Sequence, residues 1–395
     1  MYYLVKTLVR IGLVFFCRKI IISNEDWLKE KGPLLLACNH PNSFFDAVLL
    51  GALFKNPVHF LARGDAFKNP VAKNFLTALK AIPIFRLREG KEYLALNDAT
   101  FDRCNQILLQ GGIVLIFSEG LCLNQWQLRP LKKGSARIAI NAWKQADIAS
   151  RFKVLPVSLN YNSFKYFGKK IIIQFGQPII CSDINTGVNE AEQINQFNKL
   201  LYTRLLEGIL IDDNTAVAQF LLSNPFLINE HTNHPISFLK SLQPKLASDN
   251  LRKELSQLYN SKAIALQTTS FAINIFLFVL LFIPAVIALG FHLPLYIPLR
   301  SFIKKKTKGT VFYDSVLFGS LLILYPLYLI IISVVGSLFI HPLCLFAVIA
   351  VPVLALLYLH WKESLVCTIN YCRMRKESFT GLKTEHVKPH RHIGT

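Results

Sequence analysis

The chain has 395 residues, 52% of them hydrophobic, and its 44 lysines and arginines outnumber its 24 acidic residues to give a formal net charge of +20. Its mean hydropathy of +0.37 is high for a wholly soluble protein and indicates contact with a membrane. A charge of this sign suits an anionic membrane surface, a phosphorylated substrate or nucleic acid, but the sequence contains no recognisable nucleic-acid-binding module, which argues against the last.

The N-terminal residues 1–20 are largely apolar, but Lys6 and Arg10 interrupt them and no small-residue cleavage site follows, so we expect no cleaved signal peptide. The segment is too short and too charged to favour a span, and we predict a helix that rests on the membrane interface. The eight cysteines of the chain are scattered without a Cys-x-x-Cys spacing, which predicts reduced, packed thiols in a cytoplasmic domain.

Residues 21–188 alternate short apolar runs with longer helical patterns, which predicts an α/β domain. The predicted strands are Pro33–Cys38, Val58–Ala62, Gly112–Phe117, Lys153–Leu159 and Lys170–Gln174. The predicted helices are Phe45–Leu53, Pro70–Leu79, Tyr93–Leu109 and Gly134–Gln145. Polar residues follow each strand, and the active site of an α/β domain forms at such strand ends.

Residues 189–265 are polar with apolar residues at helical spacing, and we predict two or three helices with a structural role. His231 and His234 lie in this extension. A metal site is one interpretation of the pair, but no carboxylate or cysteine stands at a ligand-like spacing, which favours a solvated loop.

Residues 266–362 are predicted to lie in the membrane. The first apolar tract, 269–299, is interrupted by Pro284, Gly290, Pro294 and Pro298. These residues favour a hairpin that re-enters from one side, whereas the second tract, 315–359, is long enough for two spans of about 20 residues with a turn near Pro342. The basic residues at 300–308 and the basic tail, 363–395, then share the cytoplasmic side with the α/β domain, as the positive-inside rule favours.

A histidine and a carboxylate lie in the turn after the first predicted strand, in the segment Asn39-His40-Pro41-Asn42-Ser43-Phe44-Phe45-Asp46. On one continuous helix His40 and Asp46 would point about 120° apart. However, Pro41 disfavours helix at the residue before it, and Ser43 with Asp46 resembles a capping box for a helix that starts at Phe44. The two side chains can then meet and leave one ring nitrogen free to take a proton. The alternative is that Asp46 only caps the helix.

A second polar strand end is Ser118-Glu119-Gly120. Glu119 is a candidate to bind an acceptor hydroxyl or to buttress the site, and Gly120 lets the backbone turn close to a substrate. The cations that follow form either a solvated basic face or a phosphate site: Arg129, Lys132 and Lys133. Arg86, at the end of another apolar segment, is a further candidate cation.

Together these segments resemble, in order, the four blocks of the glycerophospholipid acyltransferase family. The blocks are Asn39-His40 with Asp46, Ile84-Phe85-Arg86, Phe117-Ser118-Glu119-Gly120 and Val154-Leu155-Pro156-Val157. The resemblance covers residues 30–180. It implies a central mixed sheet flanked by helices, and transfer of an acyl group from acyl-CoA or acyl-carrier protein to a glycerol hydroxyl at a membrane surface. No covalent acyl-enzyme, metal or other cofactor is expected.

Two features depart from the commoner pattern of the family. Five residues rather than four separate His40 from Asp46, which with His-Pro-Asn resembles the branch that includes eukaryotic-type glycerol 3-phosphate acyltransferases. In the third block, Cys122 stands where the family has an arginine that binds phosphate. We expect Arg129 with Lys132 or Lys133 to take that role.

We therefore expect His40 to remove the proton of the acceptor hydroxyl, Asp46 to orient the imidazole, and Glu119 to position the glycerol. Arg86 and the basic group after Gly120 would hold the phosphate. Glycerol 3-phosphate is the expected acceptor and lysophosphatidate the alternative. Two other classes stay open, an inactive lipid-binding membrane protein and a transporter. The second is disfavoured because the apolar tracts carry few charges.

Overall fold

A computed structural model of the chain describes residues 1–85, 96–161, 163–164, 167–209 and 271–379. Arg86, His231 and His234 lie outside these residues, as do most of the predicted helical extension and residues 380–395 of the basic tail. The expectations for them stay predictions.

A seven-stranded sheet forms the centre of the α/β domain, in the order β1-β7-β6-β2-β5-β3-β4. Its strands are β1 (Cys17–Ser23), β2 (Leu34–Cys38), β3 (Val58–Arg63), β4 (Ala81–Ile84), β5 (Ile113–Phe117), β6 (Lys153–Tyr161) and β7 (Lys169–Phe175). Only β6 and β7 pair antiparallel, so the sheet is mixed, as predicted. Since β6, β2 and β5 are parallel neighbours, their carboxyl ends meet at one edge of the sheet.

Helices cover both faces of this sheet and explain why β2 is buried along its whole length. They are α1 (Tyr2–Phe16), α2 (Phe44–Leu53), α3 (Pro70–Ala78), α4 (Leu96–Leu109), α5 (Gly134–Trp143), α6 (Ala146–Ala149) and α7 (Glu190–Leu206). One core contains residues of α1 and α2, and the other contains residues of α4, α5 and α7. The fold class predicted from the sequence is confirmed.

Two edge strands, β1 and β4, were not among the predicted strands. The first half of β1 carries Arg18 and Lys19, and β4 has four residues with a proline at the third. Neither therefore shows the continuous apolar run of a buried strand. Edge strands tolerate both features because only one side of the strand is hydrogen-bonded.

Four further helices follow in the C-terminal part: α8 (Phe271–Leu280), α9 (Phe282–Lys306), α10 (Tyr313–Phe339) and α11 (Ala347–Phe379). Three segments are long and apolar enough to cross a membrane, namely Phe282–Lys306, Tyr313–Phe339 and Pro342–Val366. The turn between α10 and α11 contains a short 3₁₀ helix, Pro342–Phe346, at the predicted place.

The predicted breaks at Pro294 and Pro298 are wrong, because both residues lie inside the helix α9, and the first apolar tract is interrupted instead at Leu281, between α8 and α9. Proline is tolerated in apolar helices where neighbouring helices supply partners for freed backbone groups. Here α9 packs beside α10, and the hydroxyl of Tyr328 on α10 donates to the carbonyl of Phe291 at 2.7 Å, one turn before Pro294.

The prediction of one interfacial helix over residues 1–20 is also only partly right. The helix α1 ends at Phe16, and residues 17–20 belong to β1. Phe16 is buried and its ring lies 5.4 Å from Phe45 on α2 and 5.1 Å from Phe318 on α10. The opposite side of α1 exposes apolar residues such as Leu4 and Val14. The helix therefore packs on the protein with one side and leaves the other for solvent or lipid.

Residues 189–265 were predicted to form a separate helical extension. The helix α7, which lies at the start of this range, instead packs in the core of the α/β domain. Phe197, Leu201 and Leu205 on this helix are fully buried in the same core as residues of α4 and α5. Ile209, which follows α7, is buried there as well. Helical spacing identified the helix, but its partner is set by the tertiary fold.

Candidate active site

The turn between β2 and α2 carries the predicted histidine and carboxylate, and we call residues 39–43 the His40 turn. Asn39 fixes its start to β6, since its side chain donates to the carbonyl of Leu159 at 3.0 Å and accepts from the Leu159 N–H at 2.7 Å. Asn124 donates to the carbonyl of Pro41 at 2.9 Å. The start and the middle of the turn are thus held by side-chain hydrogen bonds.

The predicted approach of His40 and Asp46 is present in the structure. His40 Nδ1 lies 2.9 Å from Asp46 Oδ2, and the Asp46 side chain is fully buried. The imidazole stacks on the ring of Phe117 with centroids 3.8 Å apart and planes 11° from parallel. A carboxylate at Nδ1 and a ring against one face hold the imidazole in a single orientation, which leaves Nε2 as the free nitrogen.

The backbone of Ser43 absorbs the additional residue between His40 and Asp46. Its φ of 55° lies in the left-handed region, which a serine adopts only where its surroundings hold it. The predicted capping box is wrong, because Ser43 makes no side-chain cap and the Asp46 carboxylate accepts from the N–H of Asn42 at 2.8 Å. The Asp46 carboxylate therefore stabilises the His40 turn through the Asn42 N–H and takes no part in a capping box.

Tyr161 is a third partner of Asp46 that the sequence analysis missed. Its hydroxyl donates to Asp46 Oδ1 at 2.6 Å, while Oδ2 faces His40 and Asn42. Burial, with Asp46 nearby, raises the pKa of Tyr161 well above its usual value, so the hydroxyl keeps its proton and stays a donor. The signal that points to it is its position at the end of β6, the strand next to β2.

Glu119 joins the His40 turn to Arg129. Its Oε1 accepts the backbone N–H of His40 at 3.3 Å, and its Oε2 accepts Nε of Arg129 at 2.7 Å. Arg129 also donates to the carbonyl of Leu121. Burial raises the pKa of Glu119, and Arg129 opposes that rise. Since both carboxylate oxygens have partners, the geometry favours the buttressing role over contact with an acceptor hydroxyl.

The remaining predicted substrate-binding residues lie around the turn that follows β5. Gly120 has a φ of 67°, and a Cβ there would lie 2.8 Å from Cγ of Lys132, which explains the glycine. Lys132 and Lys133 are exposed, and within the described part of the chain neither forms an ion pair. Arg129 is thus engaged by Glu119 and the Leu121 carbonyl, whereas the side chains of Lys132 and Lys133 are accessible to a ligand.

Cys122 and Ser118 near His40 each carry a nucleophilic atom, but neither is activated. Cys122 Sγ accepts the N–H of Ser43 at 2.8 Å, and burial raises the pKa of the thiol to about 12. Ser118 is buried, and its Oγ accepts from Ser135 Oγ at 2.7 Å. A neutral thiol and a buried hydroxyl are poor nucleophiles. The site is therefore built for direct proton transfer at His40.

The helix α10 also reaches the site, which nothing in the sequence predicted. Asn42 donates from Nδ2 to Asp314 Oδ2 at 2.9 Å, and the N–H of Phe45 donates to Ser315 Oγ at 3.0 Å. Asp314 forms a fully buried ion pair with Lys169 on β7. These contacts join residues that lie 145 to 272 positions apart in the chain.

Comparison with known proteins agrees with this geometry. Residues 19–160 match the family model described as Acyltransferase. Among solved structures, the 1-acyl-sn-glycerophosphate (LPA) acyltransferase PlsC from Thermotoga maritima is similar, with 16% identity and a TM-score of 0.38 over 52% of this chain and 79% of that chain. No curated protein matches the sequence. The part of the chain that matches the acyltransferase family model, residues 19–160, contains the His40–Asp46 pair and Glu119.

Proposed function

We propose that the protein is a membrane-associated glycerolipid O-acyltransferase. It moves a fatty acyl group from acyl-CoA or acyl-carrier protein to a hydroxyl of glycerol 3-phosphate. The observation that carries this proposal is the 2.9 Å contact between His40 Nδ1 and Asp46 Oδ2, because it leaves Nε2 able to take a proton from a substrate.

The reaction then follows from the free nitrogen of His40. The imidazole accepts the proton of the acceptor hydroxyl at Nε2 while the hydroxyl oxygen attacks the thioester carbonyl carbon. Asp46 stabilises the imidazolium, and Tyr161 and the Asn42 N–H keep the carboxylate in place. When the C–S bond breaks, the thiolate leaving group takes the proton from Nε2. The products are an ester and a free thiol, and His40 returns to its starting state.

A phosphate on the acceptor is supported by the exposed cations beside the site. Lys132 and Lys133 follow the Gly120 turn and have no ion-pair partner in the described residues. Arg129 is engaged by Glu119 and Leu121, so it supports the turn and the two lysines hold the phosphate. Arg86 is proposed as a further phosphate ligand on the basis of its sequence block.

Lysophosphatidate is the second candidate acceptor, and one observation favours it. The first turn of α10, an apolar helix long enough to span a membrane, contacts Asn42 and Phe45 next to His40. A lipid acceptor in the membrane would therefore reach the site without leaving the bilayer.

The assay that tests this proposal uses the purified full-length protein with a labelled acyl donor. Glycerol 3-phosphate and lysophosphatidate are offered separately, each with acyl-CoA and with acyl-carrier protein. We expect labelled lysophosphatidate from glycerol 3-phosphate. Product from lysophosphatidate alone would establish the second acceptor. Absence of product with every combination, from folded protein, would favour the inactive lipid-binding alternative.

The membrane arrangement is tested by reporter fusions. Asp314 in the first turn of α10 and Glu363 near the end of the apolar segment Pro342–Val366 both contact the α/β domain, so these two ends of the apolar segments lie against that domain. We propose that the basic segments beside these ends share the cytoplasmic side with the domain. Fusions after Lys308 and after Thr395 should both report the cytoplasm. A fusion reporting the opposite side would overturn this arrangement.

A further inference from the structure

We propose that Asp314 is a positioning residue for the His40–Asp46 pair, so that the hairpin of α10 and α11 supports the active site as well as the membrane contact. This inference rests on the proposed acyltransferase reaction. It concerns a residue far outside residues 19–160, the part that matches the acyltransferase family model.

A continuous set of hydrogen bonds leads from α10 to the imidazole. Asp314 Oδ2 accepts from the side chain of Asn42 at 2.9 Å, and the backbone N–H of Asn42 donates to Asp46 Oδ2 at 2.8 Å. The same oxygen of Asp46 lies 2.9 Å from His40 Nδ1. A single residue, Asn42, therefore joins the membrane helix to the carboxylate that orients the imidazole.

Ser315, the next residue of α10, forms a hydrogen bond on the C-terminal side of Ser43. Its Oγ accepts the N–H of Phe45 at 3.0 Å, so α10 contacts Asn42, which precedes Ser43, and Phe45, two residues after it. The left-handed backbone of Ser43 is costly for a residue with a side chain and persists only where neighbours hold it. The first turn of α10 supplies two of the contacts that do so.

The ion pair explains why Asp314 can do this from a buried position. Both Lys169 and Asp314 have fully buried side chains, and Lys169 Nζ lies 5.3 Å from the ring centroid of Phe16 and 5.6 Å from that of Phe45. A buried polar side chain without a partner would be costly here, and the contact with Lys169 supplies a partner for Asp314 beside the one from Asn42.

A neighbouring ion pair provides the matched control. Lys170, the next residue on β7, lies 3.4 Å from Glu363 on α11, and Arg18 also pairs with Glu363. This pair also joins the α/β domain to the hairpin, and in the described contacts Glu363 pairs with Arg18 and Lys170 and not with a residue of the His40 turn. Its loss should weaken the same docking without disturbing the imidazole.

The experiment measures kcat, KM and the melting temperature of the full-length protein in detergent for Asp314→Asn, the double variant Asp314→Leu/Lys169→Met, and Glu363→Gln. The double variant removes both charges and replaces them with apolar side chains, which avoids a lone buried charge. We expect both Asp314 variants to lower kcat at least tenfold with little change in the acceptor KM. We expect the double variant to melt near the wild-type temperature and Glu363→Gln to retain the wild-type kcat.

Two outcomes would overturn the inference. In the first, the double variant retains the wild-type kcat, which would make the ion pair structural only. In the second, Glu363→Gln lowers kcat as much as the Asp314 variants do, which would assign the effect to docking in general. If Asp314→Asn does not fold, the double variant decides alone. Wild-type protein that is folded but inactive would instead count against the proposed reaction.

Discussion

The site contains two acid–base pairs at the ends of adjacent strands, and they have different capacities. In the His40–Asp46 pair the carboxylate holds one ring nitrogen at 2.9 Å and leaves the other without a protein partner in the described contacts. In the Glu119–Arg129 pair both carboxylate oxygens are occupied, and Arg129 donates in addition to a backbone carbonyl. Only the first pair can exchange a proton with a substrate, while the second fixes the backbone of the first.

The comparison shows that the same edge of the sheet carries one pair suited to proton transfer and one pair that stabilises the backbone of the His40 turn. The carboxylates of Asp46 and Glu119 are both buried, so burial alone does not identify the reactive one. The two carboxylates differ in their partners: His40, the partner of Asp46, can exchange a proton at its second ring nitrogen, whereas Arg129, the partner of Glu119, stays protonated. The predictions below test this division, from the largest expected effect to the smallest.

Replacement of His40 should have the largest effect on activity. His40→Ala removes the general base and should lower kcat by about 10²–10⁴-fold. The melting temperature should stay close to that of the wild type, because the imidazole side chain is partly exposed and its loss leaves Asp46 with the Asn42 and Tyr161 hydrogen bonds. Turnover near the wild-type value in the acyl-transfer assay would contradict the assignment.

Replacement of Glu119 should mainly affect stability. Glu119→Ala leaves Arg129 without its carboxylate and the His40 N–H without an acceptor, which should cost about 3 kcal/mol of unfolding free energy. Glu119→Gln retains an acceptor for the His40 N–H and should cost less. Thermal or denaturant unfolding in detergent measures both. If Glu119→Gln instead raised the acceptor KM at unchanged stability, the residue would be a substrate ligand.

Tyr161→Phe should lower kcat by about tenfold, the effect of removing one hydrogen bond to a carboxylate. The aromatic ring stays packed, but the buried Asp46 Oδ1 loses its hydrogen bond, which should cost about 1–3 kcal/mol of unfolding free energy. Asp46 would keep its contacts with His40 and Asn42 and should therefore retain most of its orienting effect. A loss as large as that of His40→Ala would show that Tyr161 acts directly in the reaction.

Neutralising Lys132 and Lys133 should raise the KM for glycerol 3-phosphate about fivefold and leave kcat nearly unchanged. The effect should shrink at high salt, because interactions of exposed charges are screened. Lys199→Ala, an exposed lysine on α7, is the matched control. An unchanged KM in the double variant would remove the two lysines from the phosphate site.

The smallest expected effect is that of Cys122→Ser, which should retain nearly full activity because no covalent intermediate is expected. The pKa of Cys122 is raised to about 12, so at pH 8 only about one thiol in ten thousand is ionised. Alkylation should therefore be slow at that pH and accelerate as the pH rises toward 12. Labelled acyl groups trapped on Cys122 would contradict the direct mechanism.

Local patterns were enough to predict most of the α/β domain. The strands β2, β3, β5, β6 and β7 were predicted within two residues of their observed ends, because buried strands read as continuous apolar runs. His40 and Asp46 were found because they lie six residues apart with a proline between them. Edge strands, and the continuity of α9 through its prolines, depend on neighbours and were missed.

The sequence by itself determined the strand ends that carry the chemistry and the apolar character of the C-terminal part, and it offered the pairing of His40 with Asp46 as one of two alternatives. Only the tertiary structure decided what surrounds that pair. Tyr161 and Asp314 reach the His40 turn from positions 115 and 272 residues from their partners. Hydrogen bonds between such distant residues produce no periodic pattern in the sequence. They depend on which segments the fold brings together and not on the number of residues between the partners.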